Sequence, residues 1–136
     1  MLTWVIESQL ARGRRPGYSG EQGAAVGKSD VDAWIKDAKA VGIRSIICLL
    51  ADDQLRYYSL LETDLISYYR NSGFIVKHVP AEDHKRPPLT DRNLEQIWHA
   101  YTDLPKPVLV HCSAGIDRTG LAVDYIIRQL KMNQWG

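Results

Sequence analysis

The stretch His111-Cys112-Ser113-Ala114-Gly115-Ile116-Asp117-Arg118-Thr119-Gly120 limits what this chain can become more than any other part of it. It stands between an apolar run, Val108-Leu109-Val110, and an apolar helical segment from Leu121 to Leu130, which reads as a strand, a tight loop and a helix start. A loop wrapped at a helix N-terminus aims several backbone N–H groups at one point, and the aligned peptide dipoles make that point a site for an anion such as phosphate. The same positive potential favours a thiolate, so Cys112 is expected to titrate below the roughly 8.5 of a free cysteine. Arg118 adds a planar guanidinium that can grip two phosphate oxygens together. Nucleophile and anion clamp thus share one loop.

The remaining sequence supplies a frame for that loop. At 136 residues the chain is expected to form a single domain over 1–136, with a core that needs neither disulfide nor metal. Hydrophobic residues at 45% and charged residues at 24% exclude a disordered chain. With 17 basic against 16 acidic residues and a net charge of +1, nothing demands a nucleic-acid partner. Cys48 and Cys112 cannot build a secreted disulfide framework, and a catalytic thiolate needs reducing surroundings. The N-terminus has no basic segment leading into a long apolar stretch, and no apolar run reaches membrane-spanning length. The expectation is a cytoplasmic monomer without a membrane span.

Trp4-Val5-Ile6 and Gln9-Leu10-Ala11 suggest an opening hairpin or edge strands, and Arg12 to Gly20 a loop rich in Gly and Pro. Arg12, Arg14 and Arg15 either line an anion site or form a solvated basic loop. Ser29 with Asp32 reads as a capping box opening a helix in which Val31, Trp34, Ile35, Ala38 and Val41 recur at helical spacing until Gly42. Ile43 to Leu50 reads as a strand covered on both faces, with Cys48 inside it as packing or as a resolving thiol. Asp52-Asp53 is expected to cap a second helix, in which Tyr58, Leu61, Leu65 and Tyr68 or Tyr69 make one stripe ended by Asn71-Ser72-Gly73. Phe74 to Val79 is the next strand. Thr90 starts a helix carrying Leu94, Ile97, Trp98 and Tyr101, and Leu104-Pro105-Lys106-Pro107 stops it before Val108.

Strands alternating with helices imply an α/β fold, a mainly parallel central sheet with helices on both faces. Ligands of such sheets bind beyond the carboxyl ends of the strands, so the loops 80–89 and 112–118 are expected at one edge. The first of these, Pro80-Ala81-Glu82-Asp83-His84-Lys85-Arg86-Pro87-Pro88, offers a general acid for a departing oxygen, with Asp83 the candidate and Glu82 the neighbouring alternative.

The run His-Cys-x-x-Gly-x-x-Arg-Thr-Gly from His111 resembles the phosphate-binding loop of the cysteine-based protein tyrosine phosphatases. Pro-x-Glu-Asp-His-x-x-Pro-Pro from Pro80 is similar to the acid loop of the phosphatase and tensin homologue group. The resemblance implies a phosphomonoester hydrolase that forms a phosphocysteine on Cys112. It implies that Arg118 and the amides of Ser113, Ala114, Gly115, Ile116, Asp117 and Arg118 hold the phosphate oxygens, and that Asp83 protonates the leaving group. Thr119 would hydrogen-bond the cysteine sulfur, while His111 would orient the loop. No cofactor and no metal is implied; the substrate would be a phosphorylated protein or a small phosphoester.

Two positions depart from the usual pattern. Many tyrosine-specific members have glycine where this chain has Asp117, an acid that some phosphoinositide and bacterial phosphatases share and that makes Asp117 an alternative acid here. Ile116 and Asp117 bring none of the positive charge that tensin-homologue lipid enzymes carry in this loop. The chain also stops at Gln134-Trp135-Gly136, where relatives continue with one or two helices, so it is expected to be a minimal variant or to lack a piece. No added loop deepens the pocket, which favours a compact enzyme accepting phosphotyrosine, phosphoserine and phosphothreonine. A phosphoinositide or small-molecule phosphatase served by Arg14, Arg15, Lys85 and Arg86, or a non-catalytic phosphate-binding module, are the alternatives.

Overall fold

The computed structural model describes residues 2–19 and 24–135. An antiparallel hairpin, β1 (Leu2–Ile6) and β2 (Leu10–Gly13), leads to α1 (Lys28–Ala40) and β3 (Ser45–Cys48). A 3₁₀ turn (Gln54–Tyr58) and α2 (Leu65–Asn71) precede β4 (Ile75–His78), and α3 (Asp91–Asp103), β5 (Val108–His111) and α4 (Asp117–Trp135) complete the chain. The five strands lie in the order β1-β2-β5-β3-β4, with only the β1–β2 pair antiparallel.

Strand β5 sits in the middle, registered against Leu10–Gly13 on one side and Ser45–Cys48 on the other. All four of its residues are buried, as a strand covered on both faces requires. Period-2 alternation sends its side chains to two separate layers. Helices α1 and α2 close one layer, packing Val31, Trp34, Ile35, Leu65 and Tyr69 over Ala11, Ile46, Cys48 and Leu109. Helices α3 and α4 close the other, setting Ile97, Ala122, Val123 and Ile126 against Leu10, Ile47, Val108 and Val110. The mainly parallel α/β sheet read from the alternation of elements is therefore present. Because β2, β3, β4 and β5 run parallel, the loops that leave them emerge at one edge.

Several boundaries differ from expectation. The box Ser29/Asp32 is not formed: the chain enters α1 through extended Gly27, Ser29 already lies inside the first turn, and Asp32 pairs instead with Lys28 at 3.0 Å. Val41 falls just past α1 and is exposed. The strand expected over 43–50 pairs only across Ser45–Cys48, since its neighbours β4 and β5 offer four residues each. The second helix is split, because Asp64 rather than Asp52-Asp53 caps α2, accepting the Ser67 amide at 2.9 Å. Tyr69 is consequently buried, while Tyr68 reaches out to the Asp32 carboxylate. Gly20, the end of the expected Arg12–Gly20 loop, and Gly136, the last residue of the chain, lie outside the described residues.

Thr90 behaves as read: its hydroxyl accepts from the Asn93 backbone amide at 3.0 Å, and Asn93 Oδ1 accepts from the Thr90 backbone amide at 3.0 Å. This box fixes where the loop after β4 ends. Thr90→Ala is expected to lower stability by about 1 kcal/mol, read as a smaller urea midpoint at unchanged slope.

Candidate active site

Strand β5 delivers His111 and Cys112 to the sheet edge, where Gly115 turns the chain at φ +77° into α4. A Cβ on Gly115 would stand 2.6 Å from the Gly13 carbonyl oxygen, so only glycine fits between the loop and β2. Two groups on either side of Gly13 brace the loop: the Arg15 amide donates to the Ser113 carbonyl at 2.9 Å, and Arg12 Nη2 donates to the Gly115 carbonyl at 2.9 Å. Among the described residues, none of the amides from Ser113 to Arg118 donates a hydrogen bond to the protein, so the donors that a helix start leaves over remain for a ligand. Cys112 lies at the floor of a cleft of about 960 Å³ that Ser113, Asp83 and Arg118 also line. Helix α4 begins at Asp117, four residues before the apolar run that announced it, so Arg118 belongs to its first turn.

Arg118 is 2% exposed. Its Nη1 donates to the Ala81 carbonyl at 2.7 Å, to Gln54 Oε1 at 2.8 Å and to the Leu49 carbonyl at 3.3 Å. Its Nη2 stands 3.4 Å from Asp83 Oδ2. The loops after β4 and β5 thus meet at the edge of the sheet, and the candidate acid faces the candidate clamp. Glu82 also lines the cleft, but its carboxylate pairs with Lys85 at 3.1 Å, with both side chains mostly in solvent. Asp117 is exposed on the cleft wall. Of the basic side chains proposed for an anion site, only Arg15 lines the cleft with Arg118; it is 2% exposed, with Nε donating to Ser113 Oγ at 3.1 Å and its guanidinium 4.7 Å over the Tyr57 ring.

His111 projects into the opposite layer, between Trp34 and Tyr69. Its Nδ1 lies 2.9 Å from the Cys112 carbonyl, which can only accept, so Nδ1 carries the proton. Nε2 is then the acceptor for the Tyr69 hydroxyl at 2.9 Å. Burial pushes the His111 pKa down to about 4 and holds the Tyr69 phenol well above its usual range, so both stay neutral at physiological pH. Cys48 shares that layer; burial pushes its thiol up to about 12, and the sheet separates it from Cys112, which fits packing rather than a resolving role. One expectation fails: the Thr119 hydroxyl is buried without a hydrogen-bond partner among the described residues, so the bond to the cysteine sulfur is not made here.

Gln54 and the brace by Arg12 escaped the sequence reading. Gln54 follows Asp52-Asp53, whose acids drew the eye as caps, and nothing local marks it as a partner of Arg118, 64 residues away. Among the described residues no group of three or more His, Cys, Asp and Glu is placed to hold a metal ion, and no helix is long and apolar enough to cross a membrane.

A parallel sheet carrying Cys-x5-Arg between its central strand and a helix start defines the architecture of a cysteine-based phosphatase. Residues 26–130 match the family described as Polymorphic toxin system, DSP-PTPase phosphatase, and the chain belongs to that family of the cysteine-based protein tyrosine phosphatase superfamily. A segment is 42% identical over 57 residues to the receptor-type tyrosine-protein phosphatase eta of Gallus gallus, covering 37% of this chain and 4% of that protein. Kinase associated phosphatase, solved with serine in place of its catalytic cysteine, superposes with a TM-score of 0.68 at 19% identity, over 89% of this chain and 65% of that one. A mutant form of Tk-PTP gives 0.63 at 20% identity, over 94% and 71%. The core catalytic domain of the PP-IP phosphatase SIW14 from S. cerevisiae gives 0.57 at 16% identity, over 95% and 65%. These structural likenesses establish the fold, and the chain spans about two thirds of the length of two of the three.

The neutral imidazole makes stability depend on pH. With a folded pKa of about 4 against roughly 6.5 in the unfolded chain, the unfolded state binds the extra proton between those values. The contribution is complete above pH 6.5 and is lost as pH falls towards 4, a change on the order of 3 kcal/mol. Urea midpoints measured from pH 7 to pH 4 should fall less steeply in His111→Asn than in the parent chain.

Proposed function

We propose that this phosphatase hydrolyses phosphomonoesters through a phosphocysteine on Cys112, acting on phosphotyrosine and on phosphoserine and phosphothreonine. The observation that carries the reading is the run of unpartnered amides from Ser113 to Arg118 around a cleft whose floor holds Cys112 and whose wall holds Arg118 and Asp83. The amides and guanidinium would take the three non-bridging oxygens and stabilise the charge of the transition state. The Cys112 thiolate attacks phosphorus, the bond to the ester oxygen breaks, and a proton from Asp83 goes to the departing oxygen. Water then attacks the phosphocysteine, the Asp83 carboxylate takes its proton, and the sulfur leaves with its electron pair. His111, kept neutral by burial and bonded at Nε2 by the Tyr69 hydroxyl, would fix the carbonyl of Cys112 and so the orientation of the loop.

A second reading rests on Arg15: none of the described carboxylates pairs with this buried guanidinium, which lines the same cleft and would suit a small substrate bearing a further anionic group. The likeness to the core catalytic domain of SIW14, a PP-IP phosphatase, is in keeping with that class. Comparing phosphotyrosine and phosphothreonine peptides with inositol phosphates separates the two, because a preference for inositol phosphates that Arg15→Gln removes would favour the second.

Cys112→Ser should lower turnover of p-nitrophenyl phosphate at least about a thousandfold while still binding phosphate; retained turnover sinks the nucleophile assignment. Asp83→Asn should slow phenyl phosphate about a hundredfold or more and p-nitrophenyl phosphate far less, because the better leaving group needs no proton. The same signature in Asp117→Asn instead would move the acid to that residue.

A further inference from the structure

Gln54 touches both halves of the proposed machinery. It opens the 3₁₀ turn after β3 and is buried. Its Oε1 accepts from Arg118 Nη1 at 2.8 Å and from the Ala51 amide at 3.1 Å, and its Nε2 donates to Asp83 Oδ2 at 3.1 Å. The Ala51 N–H and the guanidinium can only donate, so together they fix which end of the amide faces which way. The oxygen looks at the cation and the nitrogen at the carboxylate.

An uncharged amide suits this place because it must satisfy a cation and an anion together. A glutamate would accept from Arg118 but present like charge to Asp83, and a leucine would satisfy neither. Asp83 otherwise has few ties to the scaffold. Residues 84–87 of its loop are all exposed, and its other oxygen is held by the amide of His84 in the same loop. His84 Nε2 also stands 3.7 Å from Asp83 Oδ2, again within the loop, so among the described residues the other contact to the frame is Arg118 Nη2 at 3.4 Å, on the guanidinium edge that a bidentate phosphate would claim. Once phosphate takes that edge, the bond from Gln54 Nε2 is, among the described residues, the tether that still connects Asp83 to the elements outside its own loop.

We infer that Gln54 is a positioning residue for the general acid, holding Asp83 over the phosphate site when substrate displaces it from Arg118. This rests on the reading of Asp83 as the acid. A proton donor delivers its full effect only at hydrogen-bond distance from the departing oxygen, and a displacement of about 1 Å can cost about a hundredfold. The loss should therefore be confined to substrates whose leaving group needs protonation.

The test compares Gln54→Leu and Gln54→Glu with the parent on phenyl phosphate and p-nitrophenyl phosphate, with inorganic phosphate as a competitive inhibitor to report on the anion site. Both variants are expected to lose about 10- to 100-fold in kcat on phenyl phosphate and far less on p-nitrophenyl phosphate. Gln54→Leu should hold inorganic phosphate within about threefold of the parent, a difference of about 0.7 kcal/mol. In an Asp83→Asn background Gln54→Leu should add no further leaving-group dependence, since the group it positions is gone. Equal losses on both substrates, or a full additional loss in the Asp83→Asn background, would overturn the inference. If Asp83→Asn discriminates between the substrates and the Gln54 variants do not, the inference alone falls. If Asp83→Asn slows both alike, the reading of Asp83 falls and takes the inference with it.

Discussion

A buried guanidinium organises this molecule. Taking an arginine out of water costs several kcal/mol unless its donors are satisfied, and Arg118 satisfies them by drawing in the loops after β3 and β4. The carbonyls of Leu49 and Ala81 and the side chains of Gln54 and Asp83 come from the segments after β3 and β4, while Arg118 itself starts the helix after β5. One charge thereby sets the mutual placement of the loops after β3, β4 and β5. The three-loop arrangement is a consequence of satisfying the charge before it is a device for chemistry.

The sheet passes this order from one face to the other. His111 leaves β5 on the α1–α2 side, while Cys112, one residue on, lies with the α3–α4 layer. Trp34 stacks on Tyr69, Tyr69 bonds His111, and His111 bonds the carbonyl at which the loop begins. A change in the packing of the layer away from the cleft would therefore reach the loop through two hydrogen bonds.

What could be read from residues alone follows from how locally each signal is encoded. The loop 111–120, the loop 80–88 and the Thr90 cap are contiguous words whose chemistry does not wait on tertiary contacts, and the structure brings the first two together. The alternation of elements was likewise enough for the parallel sheet. Boundaries were lost where two polar residues competed to cap, as with Asp52-Asp53 against Asp64, or where a plausible box at Ser29 lay one turn too deep. Gln54 was invisible because its meaning comes only from groups far away in the chain, and the unpartnered Thr119 hydroxyl depends on side-chain geometry that spacing does not encode.

The hairpin at the start of the chain supplies none of the reacting groups and precedes the stretch that matches the family, 26–130. Yet the carbonyl of Gly13 crowds Gly115, the Arg15 amide holds the Ser113 carbonyl, and Arg12 holds that of Gly115. The loop 112–118 is thus hung like a hammock, with one side fastened to residues 12–15. A fragment trimmed to the family boundaries would keep every atom of the chemistry and lose the fastening that gives those atoms their shape.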